Sequence, residues 1–364
     1  MNPVFWNGRR VFVTGHTGFK GAWLSFWLQR LGAETSGFAL APPTAPSLFE
    51  AAAVARGMKS RLCDVRSLPD LTAALAASSP EIVFHLAAQP LVRASYERPV
   101  ETYEINVIGT ANLLEAVRAV PGVRAVVVVT TDKCYDNREW EWGYRETDTL
   151  GGRDPYSSSK GCAELVAAAY AASYFPAQLH AEHGVALATA RAGNVIGGGD
   201  WATDRLVPDI VRAFRAGEPA LVRRPDAVRP WQHVLEPLRG YMELAEALVE
   251  RGAEMAGAWN FGPDIDDAQP VSWIVREAAR CWGAGAGWEI QPGDHPHEAQ
   301  TLRLDCAKAR RQLGWRPRLS LADAIPWTID WYRAFYGDAA DSDFVRCITE
   351  RQIARYEELA GWRD

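Results

Sequence analysis

Short apolar runs alternate with longer amphipathic stretches through the first half of the chain. The runs at 10–14 (RVFVT), 34–40, 60–64, 81–86 (EIVFHL), 125–130 (AVVVVT) and 185–190 have the length and hydrophobicity of strands. Of these 60–64 is the weakest and 125–130, with four consecutive valines, the strongest. Stretches at about 21–31, 99–119 and 156–174 read as helices. Near-continuous apolar strands separated by helices imply a parallel sheet covered on both faces. The fold class is therefore α/β, with a doubly wound parallel sheet. After Arg191 the rhythm breaks at a glycine-rich loop, 193–200 (GNVIGGGD), followed by short helices and proline-bearing connections such as 223–230. This reads as a smaller mixed lobe over the carboxyl edge of the sheet, where open α/β sheets bind ligands.

Residues 14–21 read TGHTGFKG, after the first strand and opening the first helix. Gly15 permits a tight turn, Gly18 close backbone approach to a phosphate, and Gly21 close packing of helix on strand. The helix N-terminus then offers free N–H groups to a pyrophosphate. The chain thus predicts a Rossmann-type dinucleotide site. Its second strand ends in GFALAPPTAP, with no acidic residue for a ribose and no arginine for a 2′-phosphate, which favours NAD. Asp64 is placed to accept from the adenine amino group, and a turn or helix-capping aspartate is the alternative. On this reading 1–192 form the NAD-binding domain, with a returning segment near 229–265. The substrate-binding lobe is mainly 193–228 and 266–364.

The chain has 364 residues, 48% of them apolar and 23% charged, which excludes disordered and low-complexity classes. A net charge of −6 argues against nucleic-acid binding. Six cysteines without a CxxC pair read as reduced thiols, and seven histidines complete no four-ligand metal set. The N-terminus resembles no signal peptide, and no apolar run approaches the ~20 residues of a membrane span. A cytoplasmic protein is expected. The fifteen tryptophans fit either core packing or a stacking surface.

Residues 156–160, YSSSK, place Tyr156 and Lys160 at i and i+4 on one helix face. An ammonium beside a phenol favours phenolate and lowers its pKa from ~10. The strongest strand runs into Thr130, Thr131, Asp132 and Lys133, a cluster of polar groups at the edge where chemistry belongs.

Together TGHTGFKG, HLAAQ at 85–89, NVIGTANLLEA around Asn106, TTDK at 130–133, YSSSK and LGWRP at 313–317 resemble the extended short-chain dehydrogenase/reductase family, nearly end to end. TTDK is similar to the Thr-Asp-Glu or Thr-Asp-Lys triplet of its nucleotide-sugar 4,6-dehydratase branch. The segments 41–50, 191–209 and 229–241 resemble the members that act on CDP-glucose. Lys133 in place of glutamate fits that assignment.

The resemblance implies a net dehydration: oxidation at C4, elimination of water across C5 and C6, and hydride return to C6. It makes Tyr156 the base at the C4 hydroxyl, with Lys160 lowering its pKa and holding the nicotinamide ribose. Thr131 would bind the C4 oxygen, Asp132 protonate the C6 hydroxyl, and Lys133 remove the C5 proton. The NAD contacts implied are Gly15, Thr17, Gly18, Phe19, Lys20, Gly21, Asp64, Val65, Leu86, Ala87, Ala88, Gln89, Asn106, Tyr156 and Lys160. Asn194, Arg205 and Arg229 would hold the substrate diphosphate, Arg229 by a bidentate guanidinium. Asn106 would hold the tyrosine and a water, or else simply bridge helix and sheet. His297 and Glu298 fall in another matching segment without an assignable role. A homodimer through helices four and five is the family habit. A 4-epimerase and a catalytically silent NAD-binding protein are the rival readings.

Overall fold

The computed structural model describes residues 2–264, 267–291, 301–337 and 341–361. His297 and Glu298 lie outside them. The central sheet is built from β1 (Arg10–Thr14), β2 (Glu34–Ala39), β3 (Met58–Leu62), β4 (Ile82–His85), β5 (Ala125–Val129), β6 (Ala186–Ala192) and β7 (Gly257–Phe261). Its order is β7-β6-β5-β4-β1-β2-β3, with every neighbouring pair parallel. Successive strands are added to one side of β1 up to β3 and to its other side from β4 onward, and this switch opens a crevice at the carboxyl ends of β1 and β4.

Alternate strand residues feed two cores. Val11, Val13, Ile82, Phe84 and Val127 pack against helices Phe19–Arg30 and Leu235–Arg251. Phe12, Val83, Val126 and Val128 pack on the other side, against helices Leu68–Ser78, Gly109–Ala119 and Pro155–Ser173. That two-sided burial is why the strands read as unbroken apolar runs. Six tryptophans, Trp6, Trp23, Trp27, Trp259, Trp315 and Trp331, are completely buried in the core.

Three elements differ from the sequence reading. β3 starts two residues earlier than 60–64, and its MKSRL sequence is largely exposed, as suits a polar edge strand. Helix Leu68–Ser78, alanine-rich and of low contrast, has no counterpart in that reading. The helix expected over 99–119 is divided by a wide π turn at Glu104–Ile108. The buried Asn106 lies in that turn.

After β6 the chain leaves the sheet. It builds a lobe from helices Leu206–Ala216, Val271–Trp282 and Leu321–Phe335 and three two-stranded pairs, and returns in between to lay down helix Leu235–Arg251 and β7. Among the described residues, no helix is long and apolar enough to cross a membrane.

Candidate active site

A cavity of about 1310 Å³ runs along the carboxyl edge of the sheet, between it and the lobe. The glycine loop forms one end. Gly15 has a φ of +75°, and a Cβ there would stand 2.6 Å from the Ala87 nitrogen. A Cβ on Gly21 would lie 2.1 Å from the Gly15 carbonyl oxygen. Gly18 is the N-cap of helix Phe19–Arg30, and no side chain caps it. The first turn's N–H groups therefore face the cavity with nothing built over them. A bare helix N-terminus beside a side-chain-free loop fits a dinucleotide diphosphate.

Thr17, Phe19, Lys20, Val65, Leu86, Ala87 and Ala88 line the same cavity. The wall at the end of β2 is Ala39, Leu40 and Ala41, without charge. Asp64 also lines it, but Arg66 engages its carboxylate three times, through its backbone N–H at 2.9 Å and its guanidinium at 2.9 and 2.6 Å. Those bonds hold the Asp64 carboxyl below its ordinary range. Gln89 and Asn106 stand behind the wall. The Asn106 side chain accepts from the Gln89 N–H at 2.9 Å and donates to the Gln89 carbonyl at 3.1 Å and to Ser159 Oγ at 2.8 Å. These bonds join the loop after β4 to helix Pro155–Ser173.

Thr131, Asp132, Lys133, Tyr156 and Lys160 share the middle of the cavity. Thr131 caps the 3-10 turn Asp132–Cys134, accepting from the Lys133 N–H at 3.3 Å and donating to Asp132 Oδ1 at 2.9 Å. The other carboxylate oxygen, Oδ2, is buried without a partner. Burial raises the Asp132 pKa, opposed by Lys133, Thr131, Arg229 and Lys20. Tyr156 departs from expectation. Burial pushes its phenol up to about 12, and what pulls it down is a hydrogen bond with Thr131 and the charge of Arg205. Lys160 instead donates to the Val129 carbonyl at 3.4 Å, and burial lowers its own pKa to about 8. The i, i+4 spacing placed both groups on one stripe, but the ammonium turns toward the sheet.

Lys20 extends inward from the glycine loop, donating to the Tyr241 hydroxyl at 3.4 Å. Burial, with Arg205 adding to it, lowers its pKa to about 7. Asn194, Arg205 and Arg229 line the far part of the cavity. Arg205 pairs with Asp200 at 2.8 Å, and its charge is felt by Tyr156. Arg229 donates to its neighbour's carbonyl, Val228 O, at 3.0 Å and acts on Asp132. Sequence reasoning passed over Asp200, Tyr241 and the buried pair Glu164–Arg191 (2.7 Å). For Glu164 a signal existed: Tyr156, Lys160 and Glu164 repeat at four-residue spacing along one helix.

The sequence profile of the NAD dependent epimerase/dehydratase family matches residues 11–260. The chain belongs to that family. A CDP-glucose 4,6-dehydratase of Salmonella typhimurium (strain LT2) is 53% identical over 356 residues, covering 98% of each chain. The structure of a UDP-glucose 4-epimerase from Thermus thermophilus in complex with NAD superposes with a TM-score of 0.75 at 26% identity, over 89% of this chain and 99% of that one. A dTDP-glucose 4,6-dehydratase (DesIV) from Streptomyces venezuelae, with NAD and TYD bound, gives 0.72 at 25% identity, over 89% and 97%. As an NAD dependent epimerase/dehydratase, the chain uses NAD, in keeping with the glycine loop and the uncharged wall after β2.

Proposed function

We propose that this family member is a CDP-glucose 4,6-dehydratase, a hydro-lyase giving CDP-4-keto-6-deoxy-D-glucose. The observation that carries the reading is the Thr131–Lys133 turn, whose unpartnered Asp132 oxygen and adjacent lysine share a cavity with Tyr156. A 4-epimerase needs a group at the C4 hydroxyl but has no use for an acid and a base beside it. Near-full-length similarity to a relative of that name supports the choice of CDP-glucose.

NAD held at the glycine loop supplies a reversible two-electron acceptor, oxidising C4 early in the cycle and reducing C6 at its end. Tyr156 Oη takes the C4 hydroxyl proton. The C4 ketone acidifies the neighbouring C5–H, Lys133 accepts that proton, Asp132 donates one to the departing C6 hydroxyl, and Lys133 returns its proton to C5 as hydride reaches C6. The raised pKa of Asp132 supports a carboxyl that keeps a proton to give. Each cycle leaves one proton too many on Tyr156 and one too few on Asp132. The Thr131 hydroxyl, bonded to both, offers the route between them. Asn194, Arg205 and Arg229 hold the diphosphate, Arg205 braced by Asp200.

We place the protein in the cytoplasm as a homodimer. Its cysteines are free, and Val100 (70% exposed), Ile108 (52%) and Leu165 (59%) leave apolar surface on the helical stretch 99–119 and on helix Pro155–Ser173.

Incubation with CDP-glucose and NAD should yield the base-induced absorbance of a 4-keto sugar, and substrate deuterated at C4 should give product labelled at C6. CDP-galactose as sole product would make the protein an epimerase, and no conversion of CDP-glucose would remove this reading.

A further inference from the structure

Behind the reactive turn lies a buried ionic network that the chemistry above does not use. The Glu164 carboxylate accepts from Thr130 Oγ1, from Thr189 Oγ1 at 2.7 Å and from Arg191 Nη2 at 2.7 Å. Arg191 Nη1 donates to the Tyr135 hydroxyl at 2.8 Å, and that hydroxyl donates to Asn260 Oδ1 at 2.8 Å. Glu164 and Arg191 are 3% and 4% exposed at the side chain. Thr130 immediately precedes the segment 131–134, and Tyr135 immediately follows it. One ion pair therefore grips both ends of the turn that carries Thr131, Asp132 and Lys133. Glu164 also lies one helical turn from Lys160, and its charge opposes the lowering of the Lys160 pKa by burial.

Stability alone accounts poorly for such a pair. Apolar replacement of buried ion pairs is often neutral or stabilising. Arg191 Nε, moreover, is buried without a partner, which is an uncompensated loss.

We propose that Glu164–Arg191 is a positioning pair for catalysis, fixing the 131–134 turn at both ends with Glu164 one helical turn from Lys160. The groups acting electrostatically around Lys160 are Glu164 on its own helix, Cys134 on the turn, His85 on β4 and Lys20 on helix Phe19–Arg30. Removing Glu164 takes away a negative neighbour, so the Lys160 pKa falls and its charge is lost at lower pH.

The proposal rests on the dehydratase reading for its kinetic arm and is independent of it for its binding arm. Glu164→Gln leaves a buried guanidinium unpaired and can fail to fold. The test therefore includes the double substitution Glu164→Gln with Arg191→Met, which removes both charges. For the folded double variant, kcat on CDP-glucose should fall by ~10–10²-fold with KM nearly unchanged, the effect of a turn displaced by a fraction of an ångström. The alkaline limb of NAD binding, followed by tryptophan fluorescence without any sugar, should move down by about one pH unit. Wild-type kcat together with an unmoved limb overturns the proposal. If the wild type does not convert CDP-glucose, the dehydratase reading fails and the NAD-binding limb alone decides the proposal: a downward shift supports it, and an unmoved limb overturns it.

Discussion

Tyr156 illustrates how far a side chain's surroundings can depart from its spacing. The phenol stands near 12, held up by burial, while Thr131 and Arg205 draw it down. Tyr156→Phe deletes one oxygen and little volume, so the melting temperature should stay within a few degrees. Turnover of CDP-glucose should fall by ~10²–10⁴, the usual weight of acid–base catalysis. A purified variant that forms 4-keto sugar at the normal rate would remove Tyr156 from the mechanism. The motif showed which residues share a helix stripe. It carried no information on how far an ammonium swings, and Lys160 swings toward Val129 O. The same limit hid Glu164–Arg191, whose members sit on a helix and on β6 and meet only after the sheet has formed.

At the scale of elements, what was legible was what is contiguous. The glycine loop, the TTDK turn and the YSSSK helix are each written in a few successive residues, and the buried strands announce themselves by unbroken apolar runs. What was not legible depends on contrast or on a distant partner. β3 is too polar to stand out, helix Leu68–Ser78 is too rich in alanine to show a face, and the π turn at Glu104–Ile108 accompanies the bonds of Asn106 to Gln89 and Ser159. The first loop gives a sharp test. In Gly21→Ala the new methyl would sit 2.1 Å from the Gly15 carbonyl oxygen, so loop and helix must separate. NAD affinity should drop at least ~10-fold, a misplaced helix N-terminus forfeiting a kilocalorie-scale interaction with the diphosphate. Calorimetric titration giving wild-type affinity would show that the loop tolerates the methyl and that its packing is less demanding than described.

For the whole molecule, acidity probes the interior. Burial lowers the pKa of His16 to about 4 and those of His85 and His233 to about 3. Each takes up a proton more readily in the unfolded chain, where its pKa is ~6.5. The unfolded state thus binds more protons below that value, and stability, complete above pH ~6.5, is lost as pH falls toward the folded-state values. Asp132 and Glu236, with raised pKa values, act in the opposite sense. Replacing His233 by Asn should flatten the decline by up to about 1.4 kcal/mol per pH unit. Urea unfolding between pH 7 and 5 measures this, and an unchanged slope would mean that His233 takes up its proton as readily in the folded protein as in the unfolded chain. The route of the chain has a consequence in time as well. Every residue of β6 is buried, between β5 and a β7 that is written more than sixty residues later. While the ribosome reads the intervening stretch, β6 is the bare edge of an unfinished sheet, and the helix that covers β5 and β6 has still to emerge. The same excursion that builds the lobe therefore prolongs the time for which an apolar sheet edge stands uncovered during synthesis.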